Sequence, residues 1–157
     1  MASRKLLTLV FIIEQDRILL GMKKRGFGAG WWNGFGGKVQ QGETIEEAAK
    51  RELREECEIT VDSLEEFATI TFEFVNDPPL LEVHLFKSHT YSGVPTETEE
   101  MRPQWFKHQE IPFDTMWVDD KIWFPYMLAG KKFDAYFTFQ GHHTIQNYSI
   151  TERTSSS

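Results

Sequence analysis

The sequence predicts a single domain of helices and strands, of fold class α/β in the broad sense that includes α+β. Three observations support this prediction. An apolar run from Leu6 to Ile13 has the length and content of a buried strand. An amphipathic helix with a capping signal follows Gly42, and alternating aromatic segments fill the chain from Phe67 onward. With 157 residues, of which 40% are apolar and 14% aromatic, the chain is large enough for one substantial core.

The amino-terminal segment is predicted to form the first two strands. Arg17–Met22 follows the Gln15-Asp16 turn and is the expected partner of Leu6–Ile13. Arg4 and Lys5 before the apolar run imitate a short signal peptide. However, the acidic residues after Ile13 replace a cleavage site, and eight apolar residues are too few to span a membrane.

A basic, glycine-rich loop, Lys23–Gly30, comes next and is a candidate phosphate contact. Trp31–Val39 is predicted to form two short strand pieces, whose glycines permit close backbone approach. A free carbonyl at Gly36 is a potential metal ligand. Asn33 has two interpretations: it caps a turn, or its amide matches the donor and acceptor on a purine edge.

The helix after Gly42 combines a structural signal with a chemical one. Thr44 and Glu47 have the spacing of a capping box. Apolar residues recur every three or four positions and predict a buried stripe of Ile45, Ala48, Ala49 and Leu53. One helical face gathers three carboxylates, Glu52, Glu55 and Glu56. They predict a site for a hard divalent cation; the alternative is a solvated acidic face with Arg51 and Arg54 as ionic partners.

The remaining strands and the second helix are predicted from alternation and turn signals. The expected strands are Phe67–Val75, Leu81–Tyr91, Met101–Phe106, Phe133–Phe139 and Thr144–Ile150. Lys121–Leu128 is predicted to form a helix, and Pro125 either bends it or lies in its first turn. Asp119 and Asp120 have two interpretations. They form the cap and first turn of this helix, or they form a buried pair beside Trp117 that reads a purine. Thr151–Ser157 is expected to be a disordered polar tail, so residues 1–157 form one domain.

Charge and cysteine content exclude some functional classes. The net charge of −7 argues against binding a nucleic-acid polymer through a broad basic surface. Cys57 is the single cysteine, which excludes an internal disulfide and favours a reducing compartment. We therefore expect a soluble, cytoplasmic monomer without membrane contact, with nuclear and mitochondrial pools left open.

The spacing Gly37-x5-Glu43-x7-Arg51-Glu52-Leu53-x-Glu55-Glu56 resembles the signature of the Nudix hydrolases. One position departs from it, because Glu58 stands where the family pattern has a glycine. That glycine would end the helix in left-handed geometry, where a side chain with a Cβ costs roughly 1–2 kcal/mol. The departure touches no carboxylate.

Other segments resemble one branch of this family, the animal MutT homologues that hydrolyse oxidised purine nucleoside triphosphates. These segments are GMKKRGFGAGWWNGFGGKV, FEFV, EMRPQWF, MWVDD, WFP and YFTFQG. The resemblance implies a mixed β-sheet flanked by helices in an α/β/α sandwich. It also implies Mg²⁺, with Mn²⁺ as a possible substitute, held by Gly36 (carbonyl), Glu52, Glu55, Glu56 and Glu100.

The same resemblance implies the roles of the site residues. Glu56 or Glu52 would deprotonate the attacking water, within a catalytic set completed by Glu55 and Arg51. Asn33, Asp119 and Asp120 would read the base, while Trp117 and Leu81 would sandwich it. The rest of the expected substrate-binding set is Thr8, Lys23, Phe27, Phe35, Gly36, Gly37, Lys38, Phe72, Phe74 and Val118. The branch has methionine where this chain has Leu81, which removes a polarizable sulfur and predicts a modest loss of affinity.

The expected reaction converts 8-oxo-dGTP and 2-hydroxy-dATP, with O6-methyl-dGTP as a further candidate, to monophosphate and pyrophosphate. Such a reaction would remove mutagenic nucleotides from the pool. Two alternatives are a Nudix diphosphatase with another nucleotide substrate and a non-catalytic nucleotide-binding module. The presence of every carboxylate of the signature argues against the second alternative.

Overall fold

The structure, a computed structural model that describes residues 3–154, contains eight strands and two α-helices. The strands are β1 (Arg4–Glu14), β2 (Arg17–Lys23), β3 (Trp32–Asn33), β4 (Glu65–Phe74), β5 (Leu80–Ser88), β6 (Met101–Lys107), β7 (Phe133–Gln140) and β8 (Thr144–Glu152). The helices are α1 (Ile45–Cys57) and α2 (Asp120–Leu128), and short 3₁₀ turns cover His108–Glu110 and Phe113–Thr115. Every predicted strand is present except the second piece of Trp31–Val39, where Phe35 and Lys38 form only isolated bridges to β1.

All eight strands belong to one mixed sheet. Its order is β3-β2-β1-β5-β4-β7-β8, and β6 pairs with β2 beside this path. The β1–β5 and β4–β7 pairs are parallel, whereas β1–β2, β4–β5 and β7–β8 are antiparallel. The expected mixed sheet flanked by helices is confirmed.

Strand β1 is almost continuously apolar because both of its faces are covered. Val10 and Ile12 belong to the core cluster that contains Ala49 and Leu53 of α1. Phe11, on the opposite face, belongs to the larger cluster that contains Trp123 and other residues of α2. Alternation along one strand therefore places the two helices on opposite sides of the sheet.

The beginning of α1 matches the sequence prediction. Glu47 N–H donates to the Thr44 hydroxyl over 3.1 Å, and Thr44 N–H donates to the Glu47 carboxylate over 2.8 Å. This capping box satisfies two of the amide groups that a helix start leaves unpaired. Ala48, Ala49 and Leu53 are fully buried, and Ile45 packs against the same cluster.

The end of α1 also behaves as predicted. Glu58 is the C-cap residue and adopts left-handed geometry, with φ 63° and ψ 26°. Its N–H donates to the Arg54 carbonyl. Glu58 therefore carries the strain of a left-handed residue with a Cβ, which glycine would avoid.

One prediction about the second half of the chain is wrong, and two others are met in part: Asp119 occupies the N-cap position of α2, Asp120 lies in its first turn, and Pro125 does not begin the helix. Strand β8 continues to Glu152, and the Arg153 guanidinium bonds the Asp134 carboxylate, so the tail does not begin at Thr151. Pro125 lies inside α2 and not in its first turn. The Asp119 side chain makes no cap hydrogen bond to the α2 backbone. Ser155–Ser157 lie outside the described residues.

No helix within residues 3–154 is both long enough and apolar enough to cross a lipid bilayer.

Candidate functional site

A cleft of about 310 Å³ is lined by residues of both core clusters, including Trp123 of α2 and Met101 of β6, and reaches Glu56 of α1. Its polar lining comes from well-separated parts of the chain, namely Thr8, Lys23, Asn33, Gly36, Gly37, Glu56, Asp119 and Asp120. Its apolar walls include Phe27, Trp31, Phe72, Phe74, Leu81 and Trp117. The volume suits a small-molecule site with apolar walls and a few oriented polar groups.

One end of the cleft contains two adjacent buried carboxyl groups. Asp119 and Asp120 are each 3% exposed. The Asp119 Oδ2 accepts a hydrogen bond from the Trp123 indole N–H over 2.8 Å. The Asp120 Oδ2 is buried and has no hydrogen-bond partner among residues 3–154. A buried oxygen without a partner costs free energy unless a ligand satisfies it.

The electrostatics of this pair assign the proton to Asp120. Burial, followed by the charge of Asp119, raises the pKa of Asp120 well above its ordinary value. Burial also raises the pKa of Asp119, but the bond from Trp123 opposes that rise. With Asp120 protonated and Asp119 ionised, the pair would offer both an O–H donor and an acceptor.

Asn33 lies on the short strand β3 and lines the same cleft. Its Oδ1 accepts the Gly34 N–H over 2.8 Å, which is a local turn contact. This contact fixes the side-chain amide and leaves its NH₂ group to donate elsewhere. The two interpretations of Asn33 are therefore compatible.

The opposite end of the cleft is formed by α1 and the strand piece around Gly36. Gly36 N–H donates to Glu56 Oε1 over 2.9 Å, while the carbonyls of Phe35 and Gly37 bond the backbone of β1. A Cβ on Gly36 would lie 1.7 Å from the Thr8 carbonyl oxygen, so this close approach requires glycine. Because N–H and C=O of one extended residue point to the same side, the Gly36 carbonyl faces α1.

Glu56 is the one α1 carboxylate that lines the cleft. Burial raises its pKa to about 8, and the negative charge of Glu52 adds to the rise. Burial likewise raises the pKa of Glu52, although the ion pair with Arg51 opposes this effect. Two desolvated carboxylates at one helix face are an unfavourable arrangement that a bound cation would relieve.

The other carboxylates of the predicted metal set are directed to arginines. Arg51 bonds Glu52 over 2.8 Å and Glu55 over 3.2 Å, and it also pairs with Glu43 over 2.7 Å. Glu100 pairs with Arg25, which lowers the pKa of Glu100. Within the described residues, no three acidic, histidine or cysteine side chains gather closely enough to hold an ion. The carboxylates share a helical face as predicted, but they are not assembled into a cation site.

The donor set nevertheless suits a hard divalent cation. Its members are carboxylate oxygens and one backbone carbonyl, which Mg²⁺ and Mn²⁺ prefer. Arg51 is positioned to organise this set: its guanidinium also donates to the Lys38 carbonyl over 3.1 Å and so ties the loop to the helix. These contacts suit a positioning role for Arg51, and its expected place in the catalytic set stays a prediction.

Three residues of the expected substrate-binding set do not line the cleft. Phe35 is fully buried in the core beneath α1, because its side chain faces away from the cleft. Lys38 is exposed and contributes a carbonyl to Arg51. The Val118 side chain packs against the core cluster that contains the buried residues of α2. Each is adjacent in sequence to a lining residue and points to the other side.

The glycine-rich loop contributes fewer cations than its sequence suggests. Lys24 bonds Glu97 over 2.7 Å, and Arg25 bonds Glu100. Of the three basic residues, Lys23 alone lines the cleft. Lys23 is therefore the loop's candidate for the phosphate contact, while its two neighbours hold the loop against Thr96–Glu100.

The aromatic rim of the cleft consists of Phe27, Trp31, Trp117, His142 and His143. Sequence reasoning predicted Phe27 and Trp117 but missed Trp31, His142 and His143. The ring of Trp117 is stacked with those of Phe27, Trp31 and His143 at centroid distances of 5.3, 5.8 and 5.8 Å. His142 meets Phe27 edge-on at 5.0 Å. The Trp31-Trp32 pair was the available signal, but it does not by itself indicate which ring faces the cleft.

Comparisons with known proteins agree with this geometry. A family model for the NUDIX domain matches residues 4–127. The chain is 57% identical over 152 residues to an oxidized purine nucleoside triphosphate hydrolase of Danio rerio, covering 97% of each chain. It is 56% identical over 152 residues to the Mus musculus protein of the same name, again covering 97% of each. A crystal structure of a MutT protein from Bacillus halodurans superposes with a TM-score of 0.82 at 26% identity, covering 93% of this chain and 97% of that one.

Proposed function

Because this chain belongs to the Nudix hydrolase family, we propose that it hydrolyses oxidised purine nucleoside triphosphates to the monophosphate and pyrophosphate. The proposed substrates are 8-oxo-dGTP and 2-hydroxy-dATP, with O6-methyl-dGTP as a third candidate. The two vertebrate relatives, named as hydrolases of oxidised purine nucleoside triphosphates, support this class. The proposed role is to keep mutagenic nucleotides out of DNA.

The buried Asp119–Asp120 pair is the observation that carries the proposal. Its unpartnered Asp120 oxygen lines a cleft with aromatic walls, so a ligand edge with matching polar groups would satisfy it. The shared proton gives the pair one donor and one acceptor whose order can be exchanged. Oxidised guanine and oxidised adenine present different donor and acceptor patterns, and one pair of this kind is able to complement both.

The apolar walls would hold the base in a fixed plane. Trp117 and Leu81 both line the cleft and are the proposed sandwich for the purine ring. Phe72 and Phe74 extend the wall from β4, since alternation along a strand brings both to the same face. Asn33 would donate its NH₂ group to the base edge, and Thr8 and Lys23 would contact sugar or phosphate.

The triphosphate would then extend toward α1, where Gly36, Glu52, Glu55, Glu56 and Glu100 are the proposed ligands of the cation. Nudix hydrolases act with divalent metal ions, and we propose Mg²⁺, with Mn²⁺ as a substitute. When bound, the cation neutralises phosphate oxygens and makes a coordinated water more acidic. Arg51 holds Glu52 and Glu55 on the helical face from which they would reach it.

Glu56 is the proposed acceptor of the proton from the attacking water. It lines the cleft, whereas Glu52, the other candidate, is bonded to Arg51. Burial raises the pKa of Glu56 in the protein without metal, and a bound cation would favour the ionised carboxylate that accepts a proton. The bond from Gly36 N–H fixes one of its oxygens and leaves the other available.

The proposed partner is a single purine nucleoside triphosphate, and the protein is proposed to act as a monomer without nucleic-acid polymer or membrane. Few large apolar side chains are exposed in the described chain: Leu6, Phe27, Val94 and Tyr148. Phe27 belongs to the aromatic rim, and the others are scattered in sequence. A stable dimer interface would need a larger apolar patch.

Steady-state hydrolysis of 8-oxo-dGTP, 2-hydroxy-dATP, O6-methyl-dGTP and dGTP with Mg²⁺ tests this proposal. Products would be identified by chromatography, and a Glu52→Gln protein controls for contaminating hydrolases. We expect monophosphate plus pyrophosphate and a strong preference for the modified purines. Equal slow rates on all four nucleotides would contradict the proposed substrate class, and no metal-dependent product would contradict the enzymatic activity itself.

A further inference from the structure

The aromatic rim contains a second indole that the proposed purine site does not use. Trp31 and Trp117 both line the cleft, their planes lie within 22° of each other, and their centroids are 5.8 Å apart. One bicyclic purine covers about one indole. The neighbouring indole therefore adds apolar stacking surface beyond the area that the purine needs.

Trp31 also contacts a ring of the turn between β7 and β8. Its ring is stacked with the His143 ring at 5.6 Å and 24°. His143 belongs to the turn between β7 and β8, and its neighbour His142 contacts Phe27 and Phe74. The orientation of Trp31 is thus braced by a distant part of the chain, which reduces the entropy that ligand stacking would cost.

Alternation along the β3 segment explains the Trp31-Trp32 pair. Trp32 faces away from the cleft, where it packs edge-on against Phe106 at 4.9 Å and lies under the Arg102 guanidinium. Trp31 and Asn33, two residues apart, share the cleft-facing side. In an extended chain such residues are separated by about 6.6 Å. Trp31 is therefore the neighbouring cleft-lining side chain of Asn33, the proposed donor to the base edge.

We propose that Trp31, braced by His143, forms a second stacking subsite for a planar ring attached to the purine base. The ligand class is purine nucleoside triphosphates with an aromatic substituent on the exocyclic amine. An amine with one such substituent keeps an N–H donor for the base-reading groups, and a single methylene gives the added ring the reach to meet Trp31. This inference rests on the proposed function, since it places the purine between Trp117 and Leu81.

The rim is chemically suited to such a ring. Phe27 is 62% exposed, so the rim presents apolar surface to solvent that a ligand would cover. Two basic residues of the loop, Lys24 and Arg25, are paired with Glu97 and Glu100, and the third, Lys23, is the proposed contact to sugar or phosphate. A neutral aromatic group therefore suits this subsite better than a charged one.

Calorimetric titration of the full chain with N6-benzyl-dATP and N6-methyl-dATP in EDTA tests the subsite without turnover. The two nucleotides share the substituted amine and differ by the ring. We expect the wild type to bind the benzyl nucleotide about tenfold more tightly than the methyl one. Trp31→Leu should abolish this preference, Trp31→Phe should retain part of it, and Trp32→Phe, the matched change on the opposite face, should leave it intact.

Two results would overturn the subsite: equal affinity of the wild type for both nucleotides, or a preference that survives in Trp31→Leu. Thermal melting of each variant checks folding, and the milder Trp31→Phe keeps the test valid if Trp31→Leu does not fold. Hydrolysis of 8-oxo-dGTP with Mg²⁺ is measured separately. A wild type that prefers the benzyl nucleotide yet does not hydrolyse 8-oxo-dGTP would support the subsite while contradicting the proposed function.

Discussion

The two ends of the cleft satisfy their acidic groups in different ways. At the α1 end, Glu52 and Glu55 are paired with Arg51, and Glu100 is paired with Arg25. The other end is where the purine base is proposed to bind, and we call it the base end. There, within the described residues, Asp119 and Asp120 have no basic partner, and one oxygen of Asp120 has no hydrogen bond. The α1 end is therefore arranged to exchange partners when a cation binds, whereas the base end already has the form that a ligand would complete.

This difference separates catalysis from selection. Ion pairs near the surface contribute little free energy, so Arg25 is able to release Glu100 at small cost. A buried carboxyl pair resists change, because each charge state has a large desolvation cost. Substitutions at the α1 end should then affect turnover, while substitutions at the base end should affect which nucleotide is hydrolysed.

The largest effect is expected from Glu56→Gln. Loss of the proposed proton acceptor should lower kcat for 8-oxo-dGTP by roughly 10³-fold, while nucleotide affinity stays measurable. Single-turnover kinetics and calorimetric binding would distinguish these two quantities. Glu46→Gln, an exposed change in the first turn of the same helix, serves as the control, and unchanged turnover in Glu56→Gln would remove Glu56 from the mechanism.

A smaller effect is expected from Asn33→Ala at the base end. Removing the amide should lower kcat/KM for purine triphosphates by about tenfold or more, because a buried polar edge of the base loses its partner. Asn33→Asp keeps the acceptor for Gly34 N–H but loses the NH₂ donor, so it should behave similarly. Asn147→Ala, on the exposed strand β8, controls for loss of an amide elsewhere. An unaltered kcat/KM in Asn33→Ala would exclude Asn33 from base recognition.

In the protein without metal, the pH dependence of stability should reveal the buried carboxyl groups at both ends of the cleft. Glu56 and Asp120 have folded-state pKa values above their ordinary ones, so the folded protein binds protons more tightly than the unfolded chain. The associated stability is present below about pH 4, is lost as pH rises, and for Glu56 is fully lost above its pKa of about 8. We expect Tm in EDTA to fall between pH 5 and 8.

Substitutions should show how much each end of the cleft contributes to the change of Tm with pH. Glu56→Gln should reduce the fall in Tm without abolishing it, since the aspartate pair contributes with the same sign. Glu46→Gln should leave the slope as in the wild type. A Tm that rises from pH 5 to 8 in the wild type would contradict the desolvation of these carboxyl groups.

The smallest effect is expected from Glu58→Gly. Glycine relieves the left-handed strain at the end of α1 and should raise the stability by about 1 kcal/mol, or the Tm by roughly 2–4 °C. Activity should be similar, because Glu58 is exposed and outside the cleft. Arg54→Gly, an exposed site inside the helix, should lower the Tm, and a lower Tm in Glu58→Gly would refute the strain at the helix end.

Local signals in the sequence were sufficient for most of the fold. The Thr44–Glu47 capping box, the apolar stripe of α1 and the left-handed position of Glu58 depend on residues close in sequence. Strand positions followed from alternation and turn residues, which act over a few positions. The extent of β8 was missed because Thr151 and Glu152 are polar, and their strand geometry depends on pairing with Asp134 and Phe133.

The site was predictable only in part, because side-chain direction depends on tertiary contacts. Residues adjacent to lining positions were assigned to the cleft with them, and Phe35 and Val118 turned out to face the core. The brace of Trp31 by His143 joins segments that no sequence pattern links. Likewise, the composition of the basic loop did not reveal that Glu97 and Glu100 pair with Lys24 and Arg25.

The most direct test of the account compares 8-oxo-dGTP with 2-hydroxy-dATP in the wild type and in Asp120→Asn. Asparagine keeps the shape and a fixed N–H donor but cannot exchange a proton with Asp119. We predict that the ratio of kcat/KM for the two nucleotides changes by about tenfold or more in the variant, because one donor and acceptor pattern remains matched and the other does not. An unchanged ratio would contradict the claim that the aspartate pair selects the oxidised base.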